Sequence, residues 1–63
     1  TMPVDALKHA FSAEKDSILF YSELKELFTK DRETTLILER IINEERKHVS
    51  TILEVLEKLR LTS

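Results

Sequence analysis

The chain contains no glycine, and its single proline is at position 3. Beyond Pro3, then, the two residues that most readily end a helix are missing. Such a chain turns only where its side chains favour a turn. Pro3 itself suits the first turn of a helix, because its fixed φ matches and its missing N–H would be unbonded there anyway. Asp5 follows in that turn, where the helix dipole favours an acid. From Val4 to Phe28 apolar residues recur at spacings of three and four: Leu7, Ala10, Phe11, Ile18, Tyr21 and Phe28. A second stripe of Ala6, Ala13, Phe20 and Leu27 runs about 100° round from the first. One helix with two apolar stripes needs two neighbours.

The longest wholly polar stretch is Thr29–Thr35, TKDRETT, and the turn is expected there. Thr29 or Asp31 is the candidate N-cap of a second helix, with Glu33 in its first turn if Asp31 is the cap. A second pattern then runs Leu38, Ile41, Ile42, Val49, Ile52, Leu53, Leu56 and Leu59, and closes with Lys58 and Arg60 at the negative end of the dipole. The predicted fold is all-α: helix 1 over about 3–28, a turn at about 29–31 and helix 2 over about 32–60, one helical hairpin spanning 1–63. Each arm is roughly 40 Å long at 1.5 Å per residue. Two helices cannot enclose a core, so the broad stripes are expected to meet a second copy and complete a four-helix bundle.

Size sharpens that expectation. Below roughly 70 to 80 residues a lone core seldom supplies more than a few kcal/mol, and this chain has 63 residues and no cysteine. Disulfides and thiolate metal sites are excluded, which leaves oxygen and nitrogen ligands or self-association as stabilisers. Ten basic against twelve acidic residues, interleaved along the chain, give no basic footprint for nucleic acid. No run of about 18 apolar residues occurs, and a secretory signal is absent from the N-terminus, so a cytoplasmic setting with no membrane partner is expected.

Three ionisable residues interrupt the apolar stripes. Glu14 falls between Phe11 and Ile18, while Glu45 and His48 lie three apart between Ile41 and Ile52 and project from one side of one turn. Buried there, they must be protonated, paired or bound to metal. Counting from Lys30, Glu14 lies 16 residues back and Glu45 lies 15 forward, so the two are level on antiparallel arms. Both also lie near the midpoint of their own helix. A two-fold axis perpendicular to the helices at that height would pool four carboxylates and two imidazoles, and two-fold dimers are the commonest oligomers. Four negative charges are balanced by two divalent cations, and carboxylate with imidazole suits iron or manganese, with zinc also compatible.

The runs AEKDSILFY (Ala13–Tyr21) and IINEERKH (Ile41–His48) resemble the two metal-binding helices of the ferritin-like superfamily, specifically its rubrerythrin branch. The resemblance covers nearly the whole chain. It implies Glu14 as the single carboxylate ligand of the first helix, Glu45 as the carboxylate bridging the metals and His48 as the terminal nitrogen ligand. It also implies that Tyr21 hydrogen-bonds a ligand carboxylate near the site. Rubrerythrins ordinarily carry four such helices in one chain and usually a small cysteine-bound iron domain, whereas this chain has two helices' worth of sequence and no cysteine.

The expected function is a di-iron carboxylate protein, binding two metal ions at a homodimer interface for ferroxidase or peroxidase-type chemistry with peroxide or oxygen. Higher homo-oligomers also fit the second stripe. The competing expectations are a metal-free helical-hairpin oligomerisation module, or the C-terminal half of a longer rubrerythrin-like chain. In the metal-free case Glu14 would pair with Arg46 or Lys47, Glu45 and His48 would form a hydrogen-bonded pair, and Tyr21 would be an ordinary core tyrosine. Glu44 points about 100° away from Glu45 and reads as solvated, and His9 lies about 140° from Glu14 and is left out of the site.

Overall fold

A computed structural model describes residues 2–62. Among these, Met2–Leu27 form α1 and Arg32–Thr62 form α2, with no strand, and the two helices pack antiparallel into a hairpin with extents of 49 × 14 × 10 Å. Hydrogen bonding decides where α1 stops. The Phe28 amide donates to the Lys25 carbonyl at 3.1 Å, a tightened final turn, and the Asp31 amide donates to the Phe28 carbonyl at 3.0 Å. Phe28 therefore belongs to the turn.

Of the two candidate caps, the structure uses Asp31. Its Oδ1 accepts from the Thr34 amide at 3.1 Å, and its carbonyl accepts from the Thr35 amide at 2.9 Å, which opens α2. Hydrogen bonding from Thr34 and Glu33 to the Asp31 carboxylate holds its pKa below the ordinary value. The Thr35 hydroxyl reaches back to the Phe28 carbonyl at 2.8 Å, so the turn is closed from both sides without a glycine. Glu33 lies in the first turn of α2 and Arg60 in the last, each at the end of the dipole that favours its charge. Lys25 and Glu39, 3.2 Å apart, tie the arms just below the turn.

The interior is thin. Leu38 (6% exposed) and Ile42 (5%) are the only buried residues among those described, and both come from α2. Around them Leu7, Phe11, Ile18 and Tyr21 of α1 and Ile41, Val49, Ile52, Leu56 and Leu59 of α2 are half-buried along the shared face. The second stripe of α1 stays in solvent: Phe20 is 58% exposed and Leu27 78%. Antiparallel helices rotate in opposite senses when viewed along one direction. Stepping about 100° per residue away from the shared face therefore places Phe20 and Leu27 of α1 on the same flank as Ile37, His48 and Val55 of α2. Ile37 is itself 52% exposed and Val55 38%. That flank carries an open apolar surface bordering the ionisable residues. No described helix is long and apolar enough to cross a membrane.

Candidate metal centre

Glu14, Glu45 and His48 come together midway along the hairpin. Each offers one ligand atom, and these atoms all lie within 4.8 Å of one another. Helix periodicity accounts for the arrangement: Glu14 occupies the α1 face that Leu7, Phe11 and Ile18 press onto α2, and Glu45 continues the α2 face of Leu38, Ile41 and Ile52. His48, one turn beyond Glu45, turns its ring toward both acids. Its Nδ1 is 3.7 Å from Glu14 Oε2 and 3.8 Å from Glu45 Oε1.

Those separations are too long for hydrogen bonds. Glu14 Oε2 is buried and has no hydrogen-bond partner, the only such side-chain atom found among the described residues. A carboxylate oxygen in that position costs free energy unless something positive or protic answers it. The two acids also act on one another. A hydrogen-bonding approach of the Glu14 carboxyl, followed by desolvation and the Glu14 charge, pushes the Glu45 pKa above its ordinary value, while His48 pulls it back. Two acids and an imidazole converging on one gap, one oxygen unanswered, are the donor set a divalent cation fits. The side chains of Glu14 and Glu45 are 25% and 20% exposed, and that of His48 is 57% exposed toward the open flank.

The remaining residues singled out in the sequence lie apart. Lys47 pairs with Glu44 at 3.1 Å and so leaves Glu14 alone. Arg46 lines a polar groove on the other flank with Ser22, Lys25, Glu26, Glu39 and Asn43. His9 is on the outer face of α1 beside Asp5, Lys8 and Ser12. The Tyr21 ring packs edge-on against Phe20, with centroids 5.3 Å apart, and its hydroxyl has no hydrogen bond to a carboxylate among the described residues of this one chain. The stripe position of Glu14 signals a half-buried side chain, but that its Oε2 is left without a partner had no signature in the sequence, since that depends on rotamer and on how closely the arms approach.

A hairpin with a carboxylate on one arm facing a Glu-x-x-His pair on the other has the ligand pattern of half a carboxylate-bridged helical bundle. The rubrerythrin family model matches residues 5–63, and the chain belongs to that family, whose members typically bind iron. It is 34% identical over 59 residues to an uncharacterized protein of Archaeoglobus fulgidus, a match covering 94% of this chain and 90% of that one. No solved structure gives a significant match.

Proposed function

We propose that this protein is a di-iron carboxylate protein whose metal centre is completed when two copies of the hairpin pair through their open flanks. The observation that carries the reading is the buried Glu14 Oε2, without a hydrogen-bond partner, in a group whose Glu14, Glu45 and His48 ligand atoms lie within 4.8 Å of one another. One chain supplies three donors, too few to close a site for two ions. A second copy related by a two-fold doubles the set to four carboxylates and two imidazoles and covers Phe20, Leu27, Ile37 and Val55 in the same step. The Archaeoglobus relative supports this, because 59 matched residues make up 90% of it. A protein of that length has room for one hairpin and not for four helices.

In this reading Glu14, Glu45 and His48 of both copies would hold the ions. A bound iron pair would supply two-electron exchange with peroxide or oxygen, which is chemistry of the ferroxidase or peroxidase kind. The chain's own part is to hold the donors in place, to balance the charge and to keep bulk water off the carboxylates by apolar cover from Ile41, Ile52 and the partner's flank. Manganese or zinc fits the same donors, and the chain's setting is proposed to be the cytoplasm. Native mass spectrometry with metal analysis of protein purified without chelator tests the reading. A dimer carrying close to one iron, manganese or zinc per chain is expected, together with oxidation of added Fe(II) faster than in buffer. Well under one metal per chain and no acceleration would reject it in favour of a metal-free oligomerisation module. In that case Glu45→Ala and His48→Ala would leave the dimer as stable or more stable.

A further inference from the structure

The open flank of α1 has an internal order that specifies how the second copy sits. Seven residues follow one heptad seam, Ala6, Ala10, Ala13, Ser17, Phe20, Leu24 and Leu27, alternating steps of four and three; Ala6, Ala13, Phe20 and Leu27 are exposed on the flank, and Ala10, Ser17 and Leu24 are half-buried where it meets the shared face. All the small residues are in the N-terminal half and all the large ones in the C-terminal half. Folded onto its own antiparallel copy about Ser17, the seam sets large against small at every level outside the central Ser17 pair: Ala6 against the partner's Leu27, Ala10 against the partner's Leu24, and Ala13 against the partner's Phe20. Phe20 (58% exposed) and Leu27 (78%) each then meet an alanine-sized recess that a parallel pairing would not give them.

We infer that α1 packs against the α1 of a second copy in an antiparallel, self-complementary seam centred on Ser17, and that this contact sets the register in which the metal centre is assembled. The inference rests on the dimeric reading above and adds its axis. An independent feature agrees with it. In this register Tyr21 comes level with the partner's Glu14 to within about 2 Å along the axis, on the core side of the seam. The Tyr21 hydroxyl has no carboxylate partner within its own chain, and Glu14 Oε2 is buried without one. Each Tyr21 hydroxyl then has the partner's Glu14 carboxylate as an acceptor, and that carboxylate, with about four lone-pair sites, can take the hydroxyl and a metal ion together. The axis lies about 4.5 Å from the level of Glu14, toward the turn, so the two Glu14 residues stand on either side of it.

The absence of cysteine makes a clean test available, because any disulfide must come from an introduced residue. Ser17→Cys places a thiol on the axis opposite its own copy, and mild oxidation is expected to convert most of the chain to a covalent dimer. Ala10→Cys, about 21 Å along the axis from its own copy in this register, is expected not to cross-link, since Cα atoms more than about 7 Å apart cannot be bridged. A size swap supplies the second arm. Ala13→Phe alone sets ring against ring and is expected to raise the dimer Kd at least tenfold, while Ala13→Phe with Phe20→Ala restores it to within about threefold, because each level again pairs large with small. The seam is overturned if Ser17→Cys fails to cross-link while native mass spectrometry shows a metal-loaded dimer, and the metal reading then stands. It is equally overturned if Ala10→Cys cross-links as readily as Ser17→Cys, or if the double swap restores nothing. A metal-free monomer would remove the metal reading and the seam together.

Discussion

Phe20 is the side chain whose exposure tests pairing most directly. Burying a phenylalanine fully is worth about 1.5–3 kcal/mol, and this one holds 58% of its surface in solvent, so docking of a second copy recovers about 0.9–1.7 kcal/mol per chain. A two-fold interface contains the residue twice, so Phe20→Ser should weaken the dimer by about 1.8–3.4 kcal/mol, or roughly 20- to 300-fold in Kd. The single chain should barely notice. Phe20 lies off the shared face and meets Tyr21 edge-on, so helical circular dichroism at high protein concentration should stay close to that of the parent. Sedimentation equilibrium across a concentration series gives the Kd, and metal content measured on the same samples should fall in step with dimer fraction. A Kd within threefold of the parent, in a chain that remains helical, would show that the open flank of α1 is not where copies meet. Metal retained in full by a monomeric variant would be just as damaging, because three donors from one chain would then suffice.

The same geometry sets other outcomes. Ile42→Ala removes one of the two buried side chains among the described residues and should cost about 2–5 kcal/mol, enough to leave the chain largely unfolded at low concentration by circular dichroism. Adding chelator to metal-loaded protein should lower the thermal midpoint by roughly 10–20 °C, the equivalent of about 2.7 kcal/mol of ligand stabilisation in a domain this small, and His48→Ala should abolish the response. Asp31 has a folded-state pKa below its ordinary value, so its contribution to stability is complete above the ordinary carboxylate range and is lost as pH falls through the lowered one. Asp31→Asn keeps a capping acceptor without the charge, and thermal melts between about pH 5 and pH 2 should show a shallower acid limb than the parent.

The two arms and the turn could be read from periodicity because apolar spacing reports helix faces directly, and TKDRETT is the longest stretch without an apolar residue. The cap could not be chosen from sequence, since Thr29 and Asp31 both offer an acceptor oxygen. Only the 3.1 Å contact from the Thr34 amide to Asp31 decides between them. Likewise Phe28 fits the helical pattern, yet its amide bonds back to Lys25 as part of the turn. Counting residues from Lys30 places Glu14 and Glu45 at one height, and the structure brings the two side chains and His48 within 4.8 Å of one another. What the count could not reach was the state of individual atoms. The stranding of Glu14 Oε2 depends on side-chain rotamers, and the setting of Tyr21 depends on a surface that one chain does not contain.

With Leu38 and Ile42 as the only fully buried residues among those described, the isolated hairpin hides little from solvent that unfolding could reveal. Denaturant sensitivity scales with newly exposed surface, so a dilute, metal-free sample should melt over a broad urea range with a shallow slope. Concentrating the same sample should steepen the transition and move its midpoint upward, because the steepness then comes from surface buried between subunits. Cooperativity in this protein would thus depend on how much of it is present.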